Sequence, residues 1–454
     1  MNKQAIYQET EKLFPKALEA CRFIWDHPEV GGTEEVSSAY FMDLLEKEGF
    51  TVKTDERCPH AFYAEYGSGK PVVAFIGEYD ALPALSQKVC AEKDAVTAGG
   101  PGHGCGHNLL GTASMTAAVA AKRMIEKGEF TGTVRFYGCP EEELLVGKVR
   151  MIYYGMFEGC DFALSWHPMS ANMVYDTAYL ASAAVKYHFK GTSAHAAVAP
   201  ERGRSALDAC ELMNVGSNYL REHTIDMSRI HYTTDNYGYP PNIVPDKASN
   251  WYCVRAPHMA DVKDIVRRLG LVAKGAATMT ETEVETELIS GCSEVFPNHA
   301  FEDLTYQNML EAEKPVYTEE EIAFAKELQK TLNPQVLARD EAVYEAQGRG
   351  MSGGVRPREL YRAAPLNASS DSGDVSWIMP MNLFSTACWP VGAAPHSWQA
   401  TASAGSSLGE KGMMYAARIL AGCAFDLFTK PEAAEAVKAE FESTKADYSP
   451  MYEV

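Results

Sequence analysis

Four short apolar runs in this chain each lead directly into residues that can do chemistry, and that repetition limits the folds open to it. Residues 72–76 run into Glu78 and Asp80, 134–137 into Glu142 and Glu143, 162–166 into His167, and 383–389 into His396. Apolar runs of this length predict buried strands, and a helix predicted over 109–127 separates the first two. Sites in open α/β sheets gather beyond the carboxyl ends of the strands, so segments distant in sequence are expected to converge there. The fold class expected is therefore α/β.

The flanking segments extend this reading. Residues 3–26 predict an amphipathic helix, ended by the breakers in His27-Pro28-Glu29-Val30-Gly31-Gly32, and a second helix follows in which Thr33 supplies the cap and Glu34 the first-turn charge. Residues 183–297 have another rhythm: strand 184–190, helix 205–221, strands 230–233 and 250–255, helix 260–278 and strand 283–289. That is the ferredoxin-like order β-α-β-β-α-β. It reads as a domain of residues 183–297 inserted into a first domain made of 1–182 and 298–454.

Charge and composition narrow the partners. With 41 Lys and Arg against 61 Asp and Glu, the net charge of −20 argues against nucleic acid and anionic membrane as partners. Neither a signal-like N-terminus nor a run of 18 apolar residues is visible, so a cytoplasmic location is expected. The 11 cysteines lack paired spacings, which fits reduced thiols rather than a disulfide framework.

The sharpest local feature is Gly99-Gly100-Pro101-Gly102-His103-Gly104-Cys105-Gly106-His107-Asn108, where a thiol and an imidazole two residues apart stand in a glycine-rich loop entering a helix. Taken alone it also reads as a turn with an incidental thiol. Pro140-Glu141-Glu142-Glu143 reads alone as a solvated acidic loop, and His167 and His396, beside aromatic residues, as packed histidines. Together Cys105, His107, Glu143, His167 and His396 form a set of S, N and O donors sufficient for two divalent ions. A second carboxylate next to Glu143 could take a proton from the attacking water and deliver it to a leaving amine.

Further pieces are His27-Pro28-Glu29 with Glu35, Glu78-Tyr79-Asp80-Ala81-Leu82-Pro83, Gly147-Lys148, Ala194-His195-Ala196-Ala197, Pro241-Asn242-Ile243-Val244-Pro245 and Ser372-Gly373-Asp374-Val375-Ser376. In this order, over nearly the whole chain, they resemble the aminoacylase and carboxypeptidase-G type of co-catalytic metallopeptidases, in particular the aminobenzoyl-glutamate branch. The resemblance implies a zinc-exopeptidase-like mixed sheet with helices on both faces and a ferredoxin-like lid that dimerises. It implies Cys105, His107, Glu143, His167 and His396 as metal ligands and Glu142 as general base. Lys148 keeps the register from Pro140 that selects Glu142 over Glu141. Asp80 would orient a ligand, whereas Glu78, standing where carboxypeptidase-type members have a histidine ligand, is not counted as one. His195 would stabilise the oxyanion in the partner's site, and Asn242 with Arg255 would hold the substrate's carboxylate. Two divalent ions are implied, Mn ahead of Zn. The activity implied is hydrolysis of an N-acyl or N-aroyl amino acid, with aminobenzoyl-glutamate first, and indole-acetyl-amino acids or dipeptides as alternatives. A metal-stabilised binding subunit is the competing class, and a related second subunit is compatible with either.

Overall fold

The computed structural model of the chain describes residues 2–175, 177–358 and 368–452. Two helices, α1 (Gln4–Asp26) and α2 (Glu35–Lys47), precede strands β1 (Thr51–Thr54), β2 (Phe62–Ser68) and β3 (Val72–Glu78). Helix α3 (His107–Glu126), β4 (Gly132–Cys139), α4 (Gly147–Tyr153), β5 (Phe162–Met169) and β6 (Met173–Val174) follow. Six strands then belong to a second unit: β7 (Ala181–Lys190), β8 (Ala194–His195), β9 (Arg229–Asp235), β10 (Ile243–Val244), β11 (Lys247–Ala256) and β12 (Glu283–Cys292), with helices α5 (Ala206–Leu220) and α6 (Met259–Thr280). The first unit resumes and contributes β13 (Met381–Ala387).

The chain divides into two compact units, one of Met1–Thr177, Phe296–Ala364 and Val375–Tyr448, the other of Ala178–Val295, Pro365–Asp374 and Ser449–Val454. The second unit thus starts five residues earlier than 183 and ends two before 297, and it recruits two later segments.

In the first unit the sheet order is β1-β2-β4-β3-β5-β13-β6. The four central strands are parallel, and the antiparallel pairs β1·β2, β2·β4 and β13·β6 flank them, so the sheet is mixed. Strand β3 is buried along its full length, as befits a strand covered on both faces. Helix α3 packs against β3, between α1 and the helix Ser407–Thr429, and its many alanines let it approach closely. Because the central strands are parallel, their carboxyl ends share one edge, and Glu78 and His167 lie at that edge. The fourth strand lies slightly earlier than 383–389, which leaves Trp389 buried in the loop beyond it.

The second unit has the order β12-β7-β11-β9, all neighbours antiparallel, with α5 and α6 packed on the sheet. This is the spatial order of a ferredoxin-like fold. The two-residue pair β8·β10, missed in the sequence, fastens its long connections.

Capping of α2 corrects the sequence expectation. Thr33 Oγ1 donates to the Val30 carbonyl instead of capping the helix; the Glu29 carboxylate accepts from the Val36 and Ser37 backbone N–H groups at 2.9 and 2.8 Å. The Pro28 bend brings Glu29 back over the open helix end, where a carboxylate satisfies the orphan donors and meets the positive end of the dipole.

One glycine ties the fold to the site. Gly106 precedes α3 with φ +75°, and a Cβ there would stand 2.9 Å from Pro168 Cγ. Gly106→Ala should therefore cost roughly 2–4 kcal/mol by urea unfolding, from left-handed strain plus overpacking. Gly128→Ala, at φ +71° with nothing within 4 Å, should show the roughly 1–2 kcal/mol backbone contribution alone.

Candidate metal centre

The strand ends and the start of α3 assemble a dense group of donors, all within the first unit. Three sets of potential ligand atoms lie within 4.8 Å of one another: Cys105, His107 and His167; Cys105, Glu143 and His396; and Glu78, His107 and Glu142. The five residues expected to bind metal are thus brought together, with Cys105 common to two sets. His396 reaches Glu143 Oε2 at 3.3 Å from a loop residue with φ +60°.

Two imidazoles of the cluster, His107 and His167, are each oriented by their other nitrogen. His107 Nδ1 donates to Asp80 Oδ1 at 2.8 Å, since the carboxylate can only accept, and this fixes the ring so that Nε2 faces the cluster. His167 Nδ1 donates to the Pro168 carbonyl at 2.8 Å, which leaves Nε2 turned to Cys105 Sγ at 3.3 Å. The other oxygen of Asp80 is used as well. Oδ2 accepts from the Glu143 backbone N–H at 2.8 Å, which locks the short 3-10 turn Glu142–Leu144 to the centre.

The three consecutive glutamates have different fates. Glu141, at φ +59°, pairs with Arg150 at 2.6 Å, and its backbone N–H donates to Glu34 at 2.7 Å. It belongs to none of the clustered sets. Glu142 Oε2 lies 3.8 Å from His107 Nε2. Burial, followed by the Glu78 and Glu143 carboxylates, pushes Glu142 well above the usual carboxyl range. Burial also works against ionised Glu143, but the His396 hydrogen bond and the nearby His107 outweigh it and hold this carboxyl low. Burial and then His107 bring His167 down to about 4, so it is a neutral donor at pH 7. The Cys105 thiol is raised by burial and by Glu143.

Sequence reasoning does not count Glu78 as a ligand, and the structure brings it beside the cluster. Its Oε2 lies 3.4 Å from His107 Nε2, while Oε1 pairs with Lys148 Nζ at 2.7 Å, with both side chains buried. The strand-end position was a visible signal; the cation that makes it tenable was not.

These residues fit a divalent-ion centre. Among the described residues, His107 Nε2 and Glu143 Oε1 are buried without a hydrogen-bond partner. Buried polar atoms are ordinarily satisfied, and both belong to groups that ligate metals.

The residues expected to contact substrate lie in the second unit. His195 is exposed on β8, and its Nδ1 accepts from the Ala197 and Val198 N–H groups at 3.2 Å each. Asn242 stands beside it, its carbonyl accepting from the Ala196 N–H at 3.0 Å. Arg255 is not brought to them. It sits at the far end of β11, eight residues beyond Lys247, about 26 Å along an extended strand, so Asn242 and Arg255 of one chain cannot grip a single carboxylate.

Residues 74–331 match the model of peptidase family M20/M25/M40. The chain is 42% identical to one subunit of the p-aminobenzoyl-glutamate hydrolase of Escherichia coli (strain K12), over 93% of this chain and 92% of that protein. It is 28% identical to Xaa-Arg dipeptidase of Mus musculus, over 92% of this chain and 87% of that protein. A dinuclear metal-binding peptidase of the M20 family from Bacillus subtilis shares the fold with a TM-score of 0.59 at 15% identity, covering 92% of this chain and 99% of that one. Among the described residues, no helix is long and apolar enough to cross a membrane.

A thiolate bound to metal is shielded from electrophiles. Cys105 should therefore be alkylated more slowly in Mn-loaded protein than after chelation, read by mass spectrometry of the Cys105 peptide. Equal labelling in both states would remove it from the ligand set.

Proposed function

This chain belongs to peptidase family M20/M25/M40 and is a metal-dependent amide hydrolase, and from that premise we propose that it cleaves the amide of an N-aroyl amino acid, p-aminobenzoyl-glutamate first. The observation that carries the reading is the split of adjacent carboxylates, with Glu142 beside His107 and Glu143 beside His396. We assign two divalent ions to Cys105, His107, Glu143, His167 and His396, Mn ahead of Zn because imidazole and carboxylate suit Mn and availability overrides intrinsic affinity. When bound, such ions polarise the scissile carbonyl and acidify the attacking water.

The chain's own residues carry the proton. Glu142 accepts it from the water at a carboxylate oxygen and returns it to the departing nitrogen. Its upward shift suits both roles, because a carboxyl raised above its usual range is a stronger base and still a usable acid. His195 serves as oxyanion donor: Nδ1 is occupied as an acceptor, so the neutral ring carries its proton on Nε2, free to donate. We assign this role across a homodimer formed through the second unit. In support, Leu212, Val215 and Tyr219 on α5 and Leu271 and Met279 on α6 are exposed, an apolar set more typical of an interface than of a solvated face. Because the relative at 42% identity is itself named as one subunit of a hydrolase, a related second subunit is a further assignment. A cytoplasmic location is retained on the same footing.

Glu142→Ala should retain metal by elemental analysis while turnover of p-aminobenzoyl-glutamate falls by about two to four decades. Glu143→Ala should lose metal. Loss of activity with metals retained in Glu141→Ala instead of Glu142→Ala would transfer the base to Glu141, and turnover of dipeptides but not aroyl conjugates would replace the substrate.

His195→Ala should lose roughly 10²–10³ in turnover with metal content unchanged. Mixing it with Glu142→Ala under subunit exchange should restore activity through heterodimers in which one site has both groups. No recovery despite demonstrated exchange would show that His195 acts within its own chain or not at all.

A further inference from the structure

The centre is lined with acids, and Lys148, the buried cation beside it, is already paired with Glu78. Within one chain Arg255 is far from Asn242, and the acyl-glutamate substrate of the reading above carries a second carboxylate for which a further cation is sought. Arg356 meets the requirement from within the first unit. Its side chain is only 9% exposed, and its ion pair, with Glu345 at 3.5 Å, is to a carboxylate that is 81% exposed. Among the described residues its Nε is buried without a hydrogen-bond partner. Arg358, two residues on, is equally buried but pairs with Asp303 and donates to the His299 carbonyl. A guanidinium withdrawn from water and weakly paired is costly, and a carboxylate held in its fork would offset that cost.

The register places Arg356 at the correct edge. Val355 bridges Asn172 in parallel, and the Arg356 N–H donates to the Asn172 carbonyl at 2.9 Å, which aligns Arg356 with Met173. Met173 opposes Ser385 and Ser385 opposes His167. Arg356 therefore falls in the lateral row of His167, on the same sheet face, three strand spacings or about 14 Å away. The segment is anchored: Asn172 Nδ2 donates to the Ser352 and Gly354 carbonyls at 3.5 and 3.3 Å, and its Oδ1 accepts from the Ala387 N–H at 2.8 Å.

We propose that Arg356 is a specificity-determining residue that binds the side-chain carboxylate of the substrate's acidic amino acid, an inference that rests on the acyl-glutamate reading. Its test compares p-aminobenzoyl-glutamate with p-aminobenzoyl-glutamine, which differ only in that carboxylate. In Arg356→Gln, kcat/KM for the glutamate conjugate should fall about 10–100-fold, chiefly through KM, the size of a lost charged hydrogen bond, while the glutamine conjugate changes by less than about threefold. Arg356→Lys should recover part of the loss, and metal content should match the wild type in both variants. Equal falls for the two conjugates, or no fall, would overturn the proposal. Calorimetric binding of glutarate to the Mn-loaded protein tests the contact without turnover. Binding by the wild type that is lost in Arg356→Gln supports it even if aminobenzoyl conjugates are not cleaved, in which case only the substrate reading fails; no glutarate binding by the wild type, or binding unchanged in Arg356→Gln, overturns it.

Discussion

Four carboxyl groups, Glu78, Asp80, Glu142 and Glu143, and the Cys105 thiol are packed into one buried region at the end of a sheet. Like charges a few ångströms apart in a low-dielectric interior cannot all ionise without compensation. Lys148 neutralises Glu78, and two oriented imidazoles face the remaining acids. What is left is the charge that divalent ions balance. The same crowding separates neighbouring glutamates, one driven up and the other held down, and such separation is how adjacent carboxyls take up unlike roles.

The backbone makes this concentration possible by bringing several elements to one place. Parallel β3 and β5 end on one edge, α3 begins there with His107, and the loop after β4 turns back over it. Asp80 joins these parts, one oxygen on the His107 ring and the other on the Glu143 backbone, so a change at Asp80 is felt by a ligand from the helix and a ligand from the turn together. Glu34 extends the frame by holding the Glu141 N–H; burial, with Asp80 next, raises this carboxyl to about 7.

Legibility varied with the range of the signal. Strand ends bearing Glu142, Glu143 and His167 could be read because a short apolar run followed by polar residues is a local pattern. Helix bounds were recovered to within a few residues for α1, α5 and α6. The short pairs β8·β10 and β13·β6 were missed, since two residues carry no periodicity. The separation of Arg255 from Asn242 within one chain was hidden for a related reason: thirteen positions look close in sequence, but an extended strand spends most of them on length.

The sequence by itself determined the α/β class, the inserted β-α-β-β-α-β rhythm and the donor types gathered at the strand ends, because periodicity and residue chemistry are local properties. Only the tertiary structure decided which neighbours those donors meet. It withdrew Glu141 to Arg150, drew Glu78 to His107 with Lys148 behind it, moved the α2 cap to Glu29, and set Arg356 in the lateral row of His167. Glu141 with Arg150 and Glu29 with Val36 are near in sequence, yet only the bends between them bring them together; the others join side chains from distant segments that no window of sequence contains.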